Sequence, residues 1–317
     1  MKILVLTSKP RTPDNFLLWE GLRKFATVKI DYIAIEEQKL LNKTLSRYDF
    51  NDYDRVIIDL LFKYIYKNAN LFSKISGLIF YDEDSCQEFI EKSKWCGRFS
   101  RFYKKLPHAR LITTGHQVTE KFKRIGIDAH FLPKGYDGSS IYDMNSVRDI
   151  ELGFIGRTNS VVYTERQNLL FNVKRQLGLE ILRTNPGDDY RNCLNRIKIF
   201  LSADIGLGEY MAKNFEAMAC GCLLMAYKQG NGEESALGLI DQYNVILYEN
   251  LNDLCEKYIA LKKSPEKIKK ISSNGKLFAE KYFNYSNLSS RLLSILLIDT
   301  NSICNKENII KRFFSQF

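Results

Sequence analysis

A single carboxylate in the middle of a short apolar helix is the first feature of this sequence that suggests chemistry. Glu216 lies within residues 213–220, a window without proline or internal glycine, which predicts a helix. Gly221 follows as a left-handed cap, and residues 222–227 have the length and composition of a buried strand. Glu216 can accept hydrogen bonds from sugar hydroxyls, or it can be an ordinary solvent-facing helix residue. The residue type leaves both interpretations open.

The segment before this helix is suited to an anion. Residues 197–206 form an apolar run that ends in glycine, and a glycine-containing loop then leads into the helix. The first turn of a helix presents unpaired backbone N–H groups and the positive end of the helix dipole. Lys213 and Asn214 stand at this end of the helix. The pattern predicts a phosphate close to Glu216.

Two arginines are further candidates for binding phosphate. A predicted strand at residues 150–155 ends in Gly156 and Arg157, and a guanidinium fork matches the geometry of phosphate oxygens. Arg166 follows nine residues later, within a predicted helix. It is either a second phosphate ligand or a surface residue of that helix.

The first half of the chain offers two more candidates. His116 follows a predicted strand at residues 110–114 and can act as a base or an acceptor ligand, although a single histidine after a strand is more often structural. Asp82 follows the predicted strand at residues 77–81 and forms a D-x-D with Asp84. This motif is common by chance, and we do not interpret it as a metal site.

The elements that must position these residues alternate between strands and helices. A strand at residues 2–8, a helix at 16–26 and a strand at 28–35 give a β-α-β opening of the Rossmann kind. No G-x-G-x-x-G follows the first strand, which argues against a dinucleotide cofactor. A polar segment at residues 138–148 then precedes a second series of alternating elements. We therefore expect an α/β protein with two domains.

Three motifs, taken together, resemble GT-B glycosyltransferases of the family-4-like and CgeB-like groups. They are FLPKGYD at residues 131–137, GFIGR at residues 153–157 and FEAMACG at residues 215–221. Each motif alone is weak, and their order and spacing carry the resemblance.

The resemblance implies two Rossmann-like domains that face a cleft. The implied divisions are an acceptor-side domain at residues 1–137, a linker at 138–148, a nucleotide-sugar domain at 149–290, and a C-terminal helix and tail at 291–317 that returns to the first domain.

The resemblance also implies roles for single residues. Glu216 would hold the ribose of a nucleotide, and Arg157 would contact the diphosphate and act in catalysis with Asp82 and His116. Lys213 stands where related sequences have a basic residue. The implied donor-binding residues are Gly156, Arg157, Arg166, Lys213, Asn214 and Glu216.

This chain departs from the family pattern at two places. Many family-4 enzymes carry a second Glu eight residues before the first, where this chain has Gly208, with Glu209 one position away. A His-Asp pair near the reacting sugar is replaced here by Tyr81 and Asp82.

The implied reaction moves a sugar from a nucleotide-diphosphate donor to a saccharide or lipid-linked acceptor, in bacterial surface polysaccharide synthesis. The resemblance implies retention of configuration and no metal or other cofactor. Arg157, Lys213 and the helix N-terminus would stabilise the charge that develops on the leaving diphosphate.

The composition narrows the class of protein. The 317 residues are 45% hydrophobic and 26% charged, which is ordinary for a two-domain globular protein. The seven cysteines are scattered and no secretion signal is present, so we expect reduced thiols in a cytoplasmic protein. No run of 18 apolar residues predicts a membrane span, and three histidines give no basis for a multi-histidine metal site.

The net charge of +10 predicts an anionic partner. Residues 94–106, KWCGRFSRFYKKL, combine bases with aromatic residues at near-helical spacing, and residues 92–134 hold 11 Lys and Arg against 2 Asp and Glu. Residues 256–317 hold 12 Lys and Arg against 5 Asp and Glu. A helix at residues 94–106 can lie on the inner face of the plasma membrane, or its aromatic side can face the core.

Two other classes of function stay open at this stage. Charge alone suggests a nucleic-acid-binding protein, but no helix-turn-helix, RRM, KH or zinc-finger pattern is present, and we expect no nucleic-acid partner. A sugar-nucleotide epimerase or a non-catalytic sugar-nucleotide sensor would share the same fold.

Overall fold

Strands and helices alternate along both halves of the chain. The computed structural model describes residues 1–158 and 164–298. The strands are β1 Lys2–Ser8, β2 Thr27–Ile33, β3 Arg55–Asp59, β4 Leu78–Asp82, β5 Arg110–Thr113, β6 Ala129–Phe131, β7 Ile150–Ile155, β8 Glu180–Leu182, β9 Ile197–Ser202, β10 Leu223–Tyr227 and β11 Ile246–Tyr248. The α-helices are α1 Thr12–Leu22, α2 Ile35–Lys39, α3 Leu41–Leu45, α4 Phe62–Ile65, α5 Arg98–Tyr103, α6 His116–Arg124, α7 Thr164–Leu177, α8 Asp188–Arg196, α9 Ala212–Ala219, α10 Glu233–Leu237, α11 Leu251–Lys262, α12 Pro265–Tyr282 and α13 Tyr285–Leu296.

Two parallel sheets organise these elements, which confirms the predicted pair of α/β domains. The first sheet has the order β2-β1-β3-β4-β5-β6 and the second the order β11-β10-β9-β7-β8. Hydrophobic clusters lie on both faces of each sheet, which explains why the strands are apolar along their length. The strand order reverses beside β1 in the first sheet and beside β7 in the second. A parallel sheet leaves a crevice for ligands at the carboxyl ends of its strands at such a point.

The last described helix returns to the first domain. Helix α13 packs against α1, and its Leu288 and Leu292 are fully buried in the core of the first sheet. The sequence placed the returning segment at residues 291–317. The structure begins it at Tyr285, and residues 299–317 lie outside the described residues.

The chain passes between the two domains twice, and the two connecting segments lie side by side. The first segment, residues 132–149, contains no helix or strand, and the second is the turn between α12 and α13 at residues 283–284. The backbone N–H of Tyr136 donates to the carbonyl of Phe283, and the N–H of Tyr285 donates to the carbonyl of Tyr136, each at 3.0 Å. Gly135 permits this approach, because a Cβ there would lie 2.4 Å from the Phe283 carbonyl oxygen. The two segments therefore form one paired connection beneath the cleft.

The aromatic side chains of residues 94–106 face the core, so the interpretation with aromatics against a membrane is wrong. Phe99 and Phe102 are buried in the first domain, and Phe99 stacks on Phe62 with ring centroids 3.8 Å apart. Trp95 is partly buried against the same cluster. The exposed bases of this segment are Lys94, Arg98, Arg101, Lys104 and Lys105. Across residues 1–158 and 164–298, no helix is long and apolar enough to cross a bilayer.

Candidate functional site

A cavity of about 810 Å³ lies at the carboxyl ends of β7 and β9, where the two domains meet. The second domain supplies most of its wall. The first domain contributes Glu83, the connection contributes Lys134, and α13 contributes Tyr285. The residues that the sequence implicated in donor binding all line this cavity: Gly156, Arg157, Arg166, Lys213, Asn214 and Glu216. Three segments far apart in the chain therefore meet at one place.

A second, smaller cavity of about 290 Å³ lies behind α9, next to Gly221. Arg148 and Lys276 line it, and both form ion pairs with Asp143. Because both of these cations already pair with Asp143, whereas the larger cavity gathers the residues that the sequence implicated, the larger cavity is the better candidate for a site.

One end of the large cavity is formed by the turn after β7 and the start of α9. A Cβ at Gly156 would lie 2.9 Å from the Phe154 ring and 3.5 Å from Lys213 Nζ, so a larger residue would require the Phe154 ring to shift. Lys213 Nζ donates to the carbonyl of Ile155 at 3.0 Å. Burial lowers the pKa of Lys213, and Glu216 acts in the opposite direction. Arg157 is exposed on the cavity wall, beside Gly156.

Arg166 belongs to the cavity, and the alternative that it is a helix-surface residue is wrong. Its side chain is 11% exposed, and its Nε donates to the carbonyl of Ala203 at 2.8 Å. The guanidinium also pairs with Asp204 at 3.1 Å. Asp204 lies just after β9, which places it at the carboxyl end of that strand. The ion pair holds Arg166 against the cavity wall.

Glu216 faces the cavity, so the alternative of a solvent-facing helix residue is wrong. The hydroxyl of Tyr190 donates to Glu216 Oε2 at 2.5 Å. Burial and the neighbouring Glu216 carboxylate raise the pKa of Tyr190 well above its usual value. Helix α9 ends as predicted, because Gly221 adopts φ +80° and its N–H donates to the carbonyl of Met218. This cap fixes the helix between the cavity and β10.

Residues 149–294 match the glycosyl transferase-like family model. HepE from Anabaena, solved with UDP, superimposes with a TM-score of 0.67 at 13% identity, over 93% of this chain and 99% of HepE. Sucrose-phosphate synthase from Thermosynechococcus elongatus gives 0.63 at 13% identity, over 93% and 98%. An α-glucosyltransferase bound to UDP and a 13-mer DNA containing a HMU base gives 0.62 at 10% identity, over 94% and 100%. No curated protein sequence matches the chain significantly.

The chain therefore has the GT-B fold of glycosyltransferases, and its second domain carries the match to the glycosyl transferase-like family. The predicted fold class is confirmed, as is the resemblance from which it came. Among residues 1–158 and 164–298, no three His, Cys, Asp or Glu side chains come together as metal ligands.

Neither Asp82 nor His116 is among the described residues that line the large cavity. Asp82 Oδ2 accepts a hydrogen bond from the Tyr103 hydroxyl at 2.7 Å, and its Oδ1 accepts one from the N–H of Asp84 at 3.0 Å. Burial raises the pKa of Asp82 to about 7. His116 is the first residue of α6, and its ring packs against Phe131. Asp82 is held by hydrogen bonds within the first domain and His116 lies beside Phe131, so neither side chain reaches the large cavity, and their catalytic role stays a prediction.

The loop after β4 presents Glu83 to the cavity in place of Asp82. Glu83 Oε1 accepts a hydrogen bond from the Tyr81 hydroxyl at 3.0 Å, and Oε2 lies 3.9 Å from the Arg11 guanidinium. Arg11 also pairs with the buried Asp59 at 3.0 Å. The carboxyl ends of β3 and β4 therefore carry a charged network on the first-domain side of the cleft.

Glu209 takes part in an interdomain contact. Its Oε1 lies 2.9 Å from Lys134 Nζ, and its Oε2 accepts a hydrogen bond from the Thr114 hydroxyl at 2.9 Å. Burial lowers the pKa of Lys134, but the Glu209 carboxylate outweighs this, and the pKa is raised overall. Glu209 is 1% exposed and is not among the described residues that line the cavity. Glu209, which lies one position after the place of the second Glu in many family-4 enzymes, thus joins the two domains.

A second interdomain contact lies beside it. The carboxylate of Glu233, in α10, accepts hydrogen bonds from the backbone N–H groups of His116 at 3.2 Å and Gln117 at 2.7 Å. These are the first residues of α6 in the other domain, so a side chain of one domain caps a helix of the other. Burial raises the pKa of Glu233 to about 7.

The cavity-wall residues that the sequence interpretation missed include Glu83, Arg183, Tyr190 and Asp204. Asp204 had a usable signal, since it follows an apolar strand closely and the carboxyl ends of parallel strands carry ligand-binding residues. Tyr190 had none, because it lies within an ordinary polar helix and reaches the site through tertiary packing.

Proposed function

We propose that this glycosyltransferase transfers a sugar from a nucleoside-diphosphate donor to a hydroxyl of a saccharide or lipid-linked acceptor. The observation that carries the proposal is the grouping of Arg157, Lys213 and Glu216 around one cavity at the strand-order reversal of the second sheet. Two cations and a helix N-terminus suit the diphosphate, and a carboxylate suits the ribose hydroxyls. UDP is the nucleotide to test first, since HepE was solved with UDP and with UDP-glucose.

The chemistry that these residues support is stabilisation of the leaving group. When the bond between the sugar and the β-phosphate breaks, negative charge grows on the diphosphate. Arg157, Lys213 and the first turn of α9 stand at the end of the cavity where that charge develops. We propose that the acceptor hydroxyl bonds to the sugar with retention of configuration, that its proton passes to the leaving phosphate, and that protein cations replace a metal in this step.

The test of this proposal is the replacement of Glu216. We expect Glu216→Ala to weaken binding of UDP and UDP-glucose by about 10- to 150-fold, because a lost hydrogen bond to a charged group costs about 1.5–3 kcal/mol. Isothermal titration calorimetry measures the affinities, and release of UDP measures turnover. Glu266→Ala is the matched control, since Glu266 is exposed at the start of α12.

Three outcomes distinguish the proposed function from its alternatives. Unchanged affinity and turnover in Glu216→Ala would show that the cavity is not the donor site. Binding without turnover by the wild type, whatever acceptor is supplied, would indicate a sugar-nucleotide sensor. Salt-sensitive DNA binding with no effect of nucleotides would favour the nucleic-acid alternative.

We further propose that the basic surface of the first domain brings the protein to the cytoplasmic face of a membrane, where a lipid-linked acceptor for bacterial surface polysaccharide is available. This proposal is supported only by the positive charge of four exposed residues, Arg98, Arg101, Lys104 and Lys105. Each such residue near an anionic surface contributes about 1 kcal/mol, and salt screens the attraction. Changing these four residues to Glu should abolish sedimentation with anionic vesicles at low salt. Equal sedimentation of the wild type with neutral and anionic vesicles would refute the proposal.

A further inference from the structure

The carboxylate of Glu216 in α9 is held by a side chain from another helix. The hydroxyl of Tyr190, in α8, donates to Glu216 Oε2 at 2.5 Å, and both residues line the large cavity. Burial and the negative charge of Glu216 raise the pKa of Tyr190 well above its usual value. The hydroxyl therefore keeps its proton at neutral pH and stays a donor to Glu216.

The packing of α8 fixes the position of this hydroxyl. The ring of Tyr190 packs against the hydrophobic cluster that contains Phe215 of α9. Farther along α8, the buried Asn195 donates to the carbonyl of Tyr142 at 3.0 Å and accepts from the N–H of Met144 at 2.7 Å. Because α8 is attached in this way at both ends of its inner side, Tyr190 is a firm support for a side chain that it bonds.

Glu216 needs such a support, because a cation of the same helix competes for its carboxylate. Lys213 stands three positions earlier, and side chains at this spacing are neighbours on a helix surface. Lys213 Nζ donates to the carbonyl of Ile155 at 3.0 Å and lies 5.9 Å from the centroid of the Tyr190 ring. A glutamate has several rotatable bonds, so without the bond from Tyr190 its carboxylate would be drawn towards this ammonium.

A carboxylate that is fixed before the ligand arrives binds it more tightly. Ordering a flexible side chain on binding costs free energy, and a hydrogen bond made in the unliganded protein removes part of that cost. Glu216 is partly exposed and faces the cavity, where it is suited to accept hydrogen bonds from ribose hydroxyls. The bond from Tyr190 therefore bears directly on how well these hydroxyls are recognised.

We propose that Tyr190 is a positioning residue, which holds the Glu216 carboxylate in the orientation that binds the ribose hydroxyls of the donor. The inference rests on the proposed function, because it takes Glu216 as the ribose ligand. Tyr190 acts through Glu216, so its effect should depend on the presence of both the carboxylate and the ribose hydroxyls.

The experiment compares UDP with 2′,3′-dideoxy-UDP, which lacks both ribose hydroxyls, by isothermal titration calorimetry of the full-length protein. Tyr190→Phe removes the hydroxyl and keeps the packed ring. We expect it to weaken UDP about three- to tenfold and to lower the preference for UDP over the dideoxy analogue by about threefold or more. Tyr243→Phe is the matched control, because Tyr243 is an exposed tyrosine of the same domain. It should leave both affinities within about twofold of the wild type.

A double variant separates positioning from an independent role of Tyr190. In the Glu216→Ala background there is no carboxylate to hold, so adding Tyr190→Phe should change the affinity for UDP by less than about twofold. The positioning role is overturned, while the proposed function stands, if Tyr190→Phe leaves UDP affinity unchanged. Equal weakening of UDP and the dideoxy analogue, or equal weakening of UDP with and without Glu216, overturns it as well.

Failure of the proposed function has a different signature. If the wild type binds ADP, GDP or CDP instead of UDP, the same comparison is made with that nucleotide and its 2′,3′-dideoxy analogue. If the wild type binds none of the four, the proposed function fails, and the role of Tyr190 fails with it.

Discussion

The buried pair between Lys134 and Glu209 should be strongly coupled, because each residue compensates the charge of the other at the domain interface. Their side chains are 7% and 1% exposed, and Lys134 Nζ also donates to the carbonyl of Glu83 and to the hydroxyl of Thr114. Lys134→Met would leave the Glu209 carboxylate buried without a compensating positive charge, although the hydrogen bond from the Thr114 hydroxyl would remain. Removing one partner of a buried pair typically costs about 3–5 kcal/mol.

The double variant Lys134→Met/Glu209→Gln removes both charges at once. Neither charge is then left uncompensated. The double variant should therefore lose about 2–3 kcal/mol less unfolding free energy than the sum of the losses in the two single variants. Urea unfolding of the wild type, both single variants and the double variant gives this coupling energy. Amide hydrogen exchange of residues 206–210 measures the local stability around the same contact.

An exposed pair of the same chemistry serves as the control. Lys123 and Glu120 lie 2.7 Å apart on α6, with side chains 49% and 37% exposed. Their coupling should be at most about 0.5 kcal/mol, because solvent screens the attraction. The reasoning is refuted if the costs at Lys134 and Glu209 add to within about 0.5 kcal/mol, since additivity is the mark of residues that do not interact.

Two further predictions concern catalysis and pH dependence. Arg157→Ala should lower kcat about 10²- to 10³-fold, because the leaving diphosphate loses a stabilising charge. The control variant Arg175→Ala, at an exposed position, should leave kcat unchanged. A rate of UDP release by Arg157→Ala within about twofold of the wild-type rate would rule out this role. Because the pKa of Asp82 rises from 3.8 to about 7 on folding, its contribution to stability is present at low pH and is lost as pH rises towards 7. Relative to Asp82→Asn, the wild type should lose about 2–3 kcal/mol of unfolding free energy between pH 5 and pH 7.5, and parallel pH profiles in urea unfolding would contradict burial of the Asp82 carboxyl as the cause.

The local arrangement around the large cavity could be predicted from the sequence. Apolar strands, a glycine after β7 and a glycine after α9 are short-range signals, and they pointed to Arg157, Lys213 and Glu216, all of which line the cavity. Such signals work because strand and helix periodicity, capping and turn geometry depend on neighbours along the chain. Parallel topology then brings the carboxyl ends of successive strands to one edge.

Amphipathic patterns, by contrast, could not be interpreted from the sequence alone. The aromatic spacing of residues 94–106 is the same whether the apolar side meets a membrane or a core, and only the contact of Phe99 with Phe62 decided for the core. Arg166 likewise lies on a helix whose faces look alike in sequence, and its pairing with Asp204 decided that it faces the cavity.

The sequence by itself determined two α/β domains and the segments that line the large cavity, since these follow from contacts between residues close in the chain. Tertiary structure alone decided which charged side chains pair with distant residues. Glu209 meets a lysine 75 positions away, and Arg166 meets an aspartate 38 positions away. Burial makes these pairings energetically significant, because an uncompensated charge or an unsatisfied oxygen is costly only where water is excluded.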